Sequence, residues 1–464
     1  MKSSTKKAKQ RLRESLQDPV LFSKKMLDHN VWAKQEHILR SIATHRRTAV
    51  KACHSSSKTF TAAEATLWWI THRKNGIVVT TAPTMTQVER LLWGEVHNAV
   101  RTAKISYPKP NATSLVLGPN RYAMGLSTNE GERFQGFHGD VLVILDEAPG
   151  VKPRIYEAIE GIRAGGDVRV LALGNPTIAS GPFYDAFTTN REGWNLITIS
   201  AFDTPNLDGL TIESLLALSE EELDNNPVPY LTTRRWVKEK YHEWGPRHPL
   251  WESRVLGNFP AQAEDALLSL TWLEEAKIRE HPVDEGILHG GLDVAGPGED
   301  ETVLAIRCGP KLMYLQSWTD KDPRGEVIAA LEPFKGRLRR LNVDSTGIGF
   351  GMARHIADFK YPVKDVNVGV SARHPEKYAN LKAELYWGLR MRFQSGDISG
   401  CFSEKAIGQL AGIRYEHNAR GQVVIESKED MRKRGVKSPD LAEAVMLAFA
   451  QEPSAEPRIR SLRD

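Results

Sequence analysis

Three runs of β-branched and aliphatic residues without polar alternation mark the first 200 positions: GIVVTTA at 76–82, VLVIL at 141–145 and VRVLAL at 168–173. Strands buried on both faces read this way. Stretches of helical composition separate them, such as AAEATLWWITHR after Lys58-Thr59, so the pattern predicts a parallel α/β sheet. Beyond 195 the pattern loosens. Acidic ESLLALSEEELDNN, Pro227 and Pro229, and the aromatic-rich RRWVKEKYHEWGPRHPLWESRVLGNFP predict a small, mostly helical subdomain, with AQAEDALLS at 261–269 as a bridge. Strand patterns then return. GGLDVAGPGEDETVLAIRC reads as strand, turn and strand, KLMYLQSWT as a third strand of an antiparallel meander, and RLNVDSTG and VKDVNVGV as two more. PEKYANLKAELYWGLRMRF predicts an amphipathic helix, and KSPDLAEAVMLAFA an apolar helix begun by Ser438-Pro439. The expected organisation is 1–194, 195–267 and 268–464, the last ending in a basic tail.

Bulk composition narrows little. A chain of 464 residues exceeds one ordinary core, so two or three domains are expected. Hydrophobic residues make up 41% and charged residues 26%, as in soluble globular proteins. No apolar run approaches the roughly 20 residues that span a bilayer, and no hydrophobic signal core follows the basic MKSSTKKAKQRLRES. Cys53, Cys308 and Cys401 are odd in number and far apart, which predicts reduced thiols in a cytosol. A net charge of +4 permits a polyanionic partner without requiring one.

Chemistry enters with ACHSSSKT at 52–59. In the phosphate loop GxxxxGK[ST], glycines let the backbone wrap the phosphates, Lys reaches the outer ones and the hydroxyl binds Mg²⁺. Lys58 and Thr59 match, whereas Ala52 and Ser57 replace both glycines. The plain alternative is a Ser-rich turn capping a helix. The strand VLVIL running into Asp146-Glu147 shifts the balance: Asp146 can hold the Mg²⁺ shell and Glu147 can orient the attacking water. In GNPT at 174–177, Asn175 or Thr177 is placed to sense the γ-phosphate. Gln35, in VWAKQEHILRSI, is either a reader of the adenine edge or a helix surface residue. For a cation at the transition state the candidates are Arg133, in GERFQGFHGD, and then Arg90; either also reads as an ordinary surface arginine.

In the second half, Asp293 and Asp344 end apolar strands and Asp440 begins the apolar helix. Converging at one sheet edge, three such carboxylates would suit paired Mg²⁺ or Mn²⁺ ions. Each alone is more often a cap or turn residue. SKEDMRKRGVK at 427–437 could grip a phosphate backbone or be a solvated loop, and the interleaved aromatics at 234–254 could stack on bases or fill a small core. GIGFG at 347–351 has its third glycine misplaced for a dinucleotide fingerprint. No Cys/His spacing suits zinc.

With these residues assembled, the chain resembles the large terminase subunit of tailed double-stranded DNA bacteriophages. The likeness runs through KACHSSSKTF, TAPTMTQVERLLW, GFHGDVLVILDEA, GNPT, ESRVLGNFP, GLDVAGPGEDETV, NVDSTGIGFG and SKEDMRKRGVKSPDLAEAV, in family order. It implies an ASCE-type P-loop ATPase that drives DNA into a capsid, joined to an RNase H/RuvC-like, mixed-sheet endonuclease that cuts concatemeric DNA at the start and end of packaging. It further implies ATP and Mg²⁺ at Gln35, Lys58, Thr59 and Asp146, with Glu147 catalytic; Ser57 and Asn175 join the nucleotide site on the reading of the residues, and Arg133 stays the candidate arginine finger, which no motif places. Asp293, Asp344 and Asp440 become the nuclease's metal ligands (Mg²⁺, with Mn²⁺ a substitute), and Asp300 an accessory acid. The partners implied are double-stranded DNA, a portal ring, a small terminase subunit and a pentameric working state, in the host cytoplasm and docked transiently on the procapsid. A helicase–nuclease of repair or defence, and a degenerate scaffold that binds DNA or capsid without hydrolysis, are the alternatives.

Overall fold

The computed structural model describes residues 10–450, apart from 11, 128–133, 135, 247, 261–264, 283–285, 296–299, 321, 345–348 and 435. The chain divides into two compact units, Met1–Ala261 and Gln262–Asp464.

A seven-stranded sheet organises the first unit. Its strands are β1 (Arg47–Ala52), β2 (Gly76–Ala82), β3 (Ser114–Gly118), β4 (Arg121–Ser127), β5 (Asp140–Leu145), β6 (Val168–Gly174) and β7 (Asn195–Ile199). Their order is β3-β4-β2-β5-β6-β1-β7, with every pairing parallel except β3 with β4. The three runs picked out by hydrophobicity are β2, β5 and β6, at the buried centre. Val141, Val143 and Leu145 of β5 pack with Val168 and Val170 of β6 and with Ile155, Ile159 and Ile162 of the helix Pro153–Arg163. β6 stands between β1, which feeds the Ser-rich loop, and β5, which ends in acids; this interposed strand defines the ASCE topology.

The predicted division at 194/195 does not hold. NLITI is β7, paired in parallel with β1 from Thr48/Asn195 to Ala52/Ile199, so it belongs to the sheet. Five residues with a polar start are too few for periodicity to register. The rest of the predicted subdomain is helical, with helices at Ile212–Leu216, Glu220–Asp224, Arg234–Trp244 and Pro249–Arg254, and it lies within the same unit. The unit boundary falls at 261/262 rather than 267/268. Aromatics of this region pack on one another: Trp236 meets Trp244 edge-on, and Tyr241 meets buried Trp251.

The second unit holds a six-stranded mixed sheet of β8 (Leu288–Asp293), β9 (Thr302–Cys308), β10 (Lys311–Trp318), β11 (Leu338–Asp344), β12 (Val363–Val366) and β13 (Ser399–Gly400). The order is β12-β11-β8-β9-β10-β13. β8, β9 and β10 form the expected antiparallel meander, and β11 and β12 run parallel to β8. That is the RNase H-like arrangement. The helix Asp440–Phe449 lies against β8 and β9, anchored where Asn342 Nδ2 donates to Leu447 O at 2.8 Å and Arg307 Nε donates to Ala448 O at 2.6 Å. Gly291 makes this approach possible: a Cβ there would stand 2.3 Å from the Ala444 carbonyl oxygen. Among the described residues no helix is long and apolar enough to cross a membrane.

Candidate functional site: a phosphate loop and a carboxylate cluster

β1 delivers the chain into the loop at 53–57, and the helix Lys58–His72 starts directly behind it. Ser55 and Ser57 both take left-handed backbone, with φ of 48° and 58°. This is the conformation a glycine adopts freely; for L side chains it costs roughly 1–2 kcal/mol each. Serine therefore holds a glycine's geometry here, under strain.

Around the loop most of the predicted residues converge. Lys58 is buried, and its Nζ lies 3.3 Å from Cys53 O and 3.4 Å from Asn175 Oδ1. Asn175, just past β6, also donates to Ala52 O at 2.6 Å. Thr59 Oγ1 donates to Asp146 Oδ2 at 3.0 Å, linking the helix start to the end of β5. Burial, then the neighbouring Glu147 charge, pushes the Asp146 carboxyl up to about 6, against Lys58 and the Thr59 hydrogen bond. Glu147 has a φ of 47°, a second non-glycine residue type in left-handed backbone at this sheet edge. Such strain, concentrated beside a buried lysine and two adjacent acids, is typical of working sites.

Other expectations fare differently. Gln35 is buried rather than on a helix surface, and its Oε1 accepts from Trp32 N at 3.1 Å, closing the start of the helix Ala33–Thr44. Arg90 is exposed on the one-turn π-helix Gln87–Leu92. Arg133 lies outside the described residues, as do positions 347 and 348 of GIGFG.

In the second unit, β8 and β11 run parallel with Leu292 opposite Val343, so Asp293 and Asp344 leave adjacent strands at the same level. Burial lifts the Asp293 pKa well above the ordinary carboxylate value, with Glu443, Asp440 and Asp344 adding to the rise and Lys428 opposing it. Asp440 is buried at the first position of its helix. It accepts from Glu301 N at 2.9 Å and from the Ser438 hydroxyl. Burial also raises its pKa; those bonds and Lys428 oppose the rise, and Asp300 adds to it. The three aspartates and Asp300 therefore share one electrostatic environment.

Sequence reading missed Glu443, three residues along from Asp440 and so on the same helical face. An acid inside the otherwise apolar LAEAVMLAF was the available signal. Burial alone would raise its pKa, but Lys382 at 2.5 Å and Lys428 at 3.0 Å hold it below the ordinary value. Lys428 also lies 3.5 Å from Asp440 Oδ1. The basic segment thus turns Lys428 inward, while Lys433 pairs with Asp430 and Arg434 with Glu426. Among the described residues no three His, Cys, Asp or Glu side chains stand as a ready-made metal-ligand set. The donors are nonetheless all carboxylates, the chemistry that suits hard divalent cations. Close by, the buried Tyr386 hydroxyl has no hydrogen-bond partner, and burial together with Glu443, Asp293 and Asp440 opposes its ionisation.

The first unit thus carries a strained Ser-rich loop on an ASCE-type sheet, and the second carries acidic residues gathered at the edge of an RNase H-like sheet. Comparison with curated proteins then gives a similar chain. The probable terminase large subunit of Enterobacteria phage P7 is 25% identical over 357 residues, covering 72% of this chain and 68% of that one. The chain is thus similar to a phage large terminase subunit. Solved structures similar to it include the HK97 bacteriophage large terminase, with TM-score 0.40 and 13% identity over 94% of this chain and 99% of that one. A large terminase from a thermophilic bacteriophage gives TM-score 0.41 and 10% identity, covering 90% of this chain and 98% of that one. The nuclease domain of the bacterial virus Sf6 large terminase gives TM-score 0.37 and 19% identity, covering 40% of this chain and all of that one. No family model matches.

Proposed function

We propose that this chain is the motor of viral DNA packaging, driving double-stranded DNA into a procapsid by ATP hydrolysis and cutting concatemeric DNA at initiation and termination. One combination supports the reading: Thr59 and Asp146 meet beside Lys58 at the edge of a parallel sheet, and Asp293 feels the charges of Asp344 and Asp440 in a mixed-sheet unit, in one chain similar to a terminase. Helicase–nuclease and scaffold readings gain no comparable support.

In the first unit, Lys58 binds the outer phosphates of ATP with charge drawn from a buried ammonium, and backbone N–H groups at the start of its helix face the same anion. Thr59 and Asp146, already hydrogen-bonded, serve the magnesium that accompanies ATP. Glu147 orients the attacking water, and Asn175, touching both Lys58 and the loop carbonyl of Ala52, senses the terminal phosphate. Gln35 contacts adenine, and Arg133 supplies the transition-state cation.

In the second unit, Asp293, Asp344 and Asp440 would hold Mg²⁺ or Mn²⁺, with Asp300 accessory, to activate water and stabilise the leaving oxygen of a phosphodiester. Lys428 and Lys382 balance the carboxylate charge that a divalent cation would otherwise face alone. The partners are duplex DNA, a portal ring and a small terminase subunit, with a pentamer working on the procapsid in the host cytoplasm.

Separating the two activities tests this directly. Lys58→Ala abolishes ATP hydrolysis and leaves divalent-metal-dependent cleavage of plasmid DNA largely intact; Asp344→Ala does the reverse. Survival of both activities in both variants contradicts the assignment.

A further inference from the structure

The loop at 53–57 keeps a glycine's backbone without glycine, so something outside it must hold that shape. Four contacts do so. Cys53 N donates to Ile199 O at 2.8 Å, and His54 N donates to Arg254 O at 2.9 Å. Thr232 then grips the next two residues with both its backbone and its side chain. Its N–H donates to Ser55 O at 3.1 Å, and its Oγ1 donates to His54 O at 2.5 Å. The His54 ring stacks on Trp236, with centroids 6.2 Å apart and 26° between planes. Thr232 is itself buried.

The second arm of this grip is the ESRVLGNFP segment, to which neither candidate site assigns a role. Arg254 contributes its carbonyl, and Val255 O accepts from Ala201 N at 2.7 Å. Gly257, at φ 66°, passes so close that a Cβ would stand 2.3 Å from Ile199 O and 3.2 Å from Cys53 N. Asn258 Oδ1 accepts from Lys51 Nζ at 2.7 Å, two residues before Cys53. Phe259 closes over Lys51 and packs on Tyr184 and Phe187. The helical region after β7 therefore reaches back and pins the loop on both sides.

Resting on the triphosphate reading of this loop, we propose that Thr232, with the 254–258 segment, is a positioning clasp that imposes the phosphate-binding conformation on a glycine-free loop. In a standard loop, glycines reach left-handed backbone at no steric cost. Here Ser55 is held there by Thr232, and the two residues before it, Cys53 and His54, are fixed by Ile199, Arg254 and Thr232, partners far away in sequence. Losing the clasp lets the loop relax away from the phosphates, and nucleotide affinity falls although no residue touching nucleotide has changed.

The test is equilibrium binding of a fluorescent, non-hydrolysable ATP analogue with Mg²⁺ to the full-length chain. Thr232→Val, which keeps the shape and removes the hydroxyl, weakens binding about tenfold, the equivalent of one buried hydrogen bond with its acceptor left unpaired. Thr232→Ser keeps the hydroxyl and binds as the wild type. Adding Ser55→Gly to Thr232→Val recovers most of the lost affinity, because glycine holds the left-handed backbone at this position unaided; a merely structural defect would not respond. If Thr232→Val does not fold, Trp236→Leu replaces it, with a several-fold loss expected. Wild-type affinity in Thr232→Val or in its substitute Trp236→Leu, or no recovery in the double variant, overturns the clasp. Failure of the wild-type chain itself to bind the analogue overturns instead the triphosphate reading beneath it.

Discussion

Replacing Gly291 by alanine probes how the carboxylates of the proposed nuclease site are held together. A Cβ at this position would lie 2.3 Å from Ala444 O, 2.3 Å from Ala448 N and 2.8 Å from Leu447 C. All three atoms are helix backbone, so no rotamer change relieves the clash. Carbon contacts settle near 3.5–4.0 Å, and the helix Asp440–Phe449 must therefore retreat from β8 by about 1 Å. That movement works against the anchors from Asn342 and Arg307. Overpacking of this kind costs about 1–3 kcal/mol, and an unyielding backbone neighbour places it toward the upper end. For a unit of about 200 residues, 3 kcal/mol lowers Tm by about 6–12 °C. The same retreat carries Asp440 and Glu443 away from Asp293 and Asp344, and a displacement near 1 Å cuts a geometry-dependent rate by about 10²-fold. Calorimetry of the full chain and Mn²⁺-dependent nicking of supercoiled plasmid measure the two effects. ATP hydrolysis, which we assign by proposal to the other unit, serves as the internal control. Unchanged melting together with unchanged nicking would refute the close packing of this helix on β8.

Two further outcomes follow from charged groups that the chemistry does not use directly. His29 Nδ1 meets Glu64 Oε1 at 2.8 Å, and this hydrogen bond lifts the His29 pKa above 6.5, with Asp28 and Glu95 adding and burial opposing. A raised folded-state pKa means that the pair's stability is fully present below about 6.5 and is lost as pH rises through the folded value. His29→Gln should therefore melt a few degrees below the wild type at pH 5.5, with the gap closing by pH 9; equal gaps at both pH values count against the pairing. Lys382→Met removes one of two cations facing buried Glu443 and should destabilise the second unit by about 1–3 kcal/mol in urea. Wild-type stability in that variant would mean the ion pair contributes nothing.

The buried centres of both sheets were legible in the chain because β2, β5 and β6 are runs of mostly apolar residues ending in acids or polar turns, while β8 and β11 each carry a short apolar stretch that ends in an aspartate. That is why Asp146, Asp293 and Asp344 could be placed before any coordinates. β1, the strand that carries the phosphate loop, was not legible. Arg47 and Lys51 interrupt it, and their polar ends are accommodated only by tertiary partners, Glu160 for one and Asn258 for the other. β7 was hidden by its shortness. Glu443 looked like one acid among many because its two lysine partners, Lys428 and Lys382, lie well outside its own helix. The missing glycines raised doubt about the loop for the same reason. Local sequence showed only the absence of glycine, whereas the contacts that hold Cys53, His54 and Ser55 come from Ile199, Thr232 and Arg254.

The most direct test of two chemistries on one chain is a crystal structure of this protein grown with Mn²⁺ and a non-hydrolysable ATP analogue, read for anomalous manganese signal and triphosphate density. The account predicts manganese among Asp293, Asp344 and Asp440 and a triphosphate beside Lys58 and Thr59. Manganese bound elsewhere, or the analogue seated away from the loop at 53–57, would contradict it.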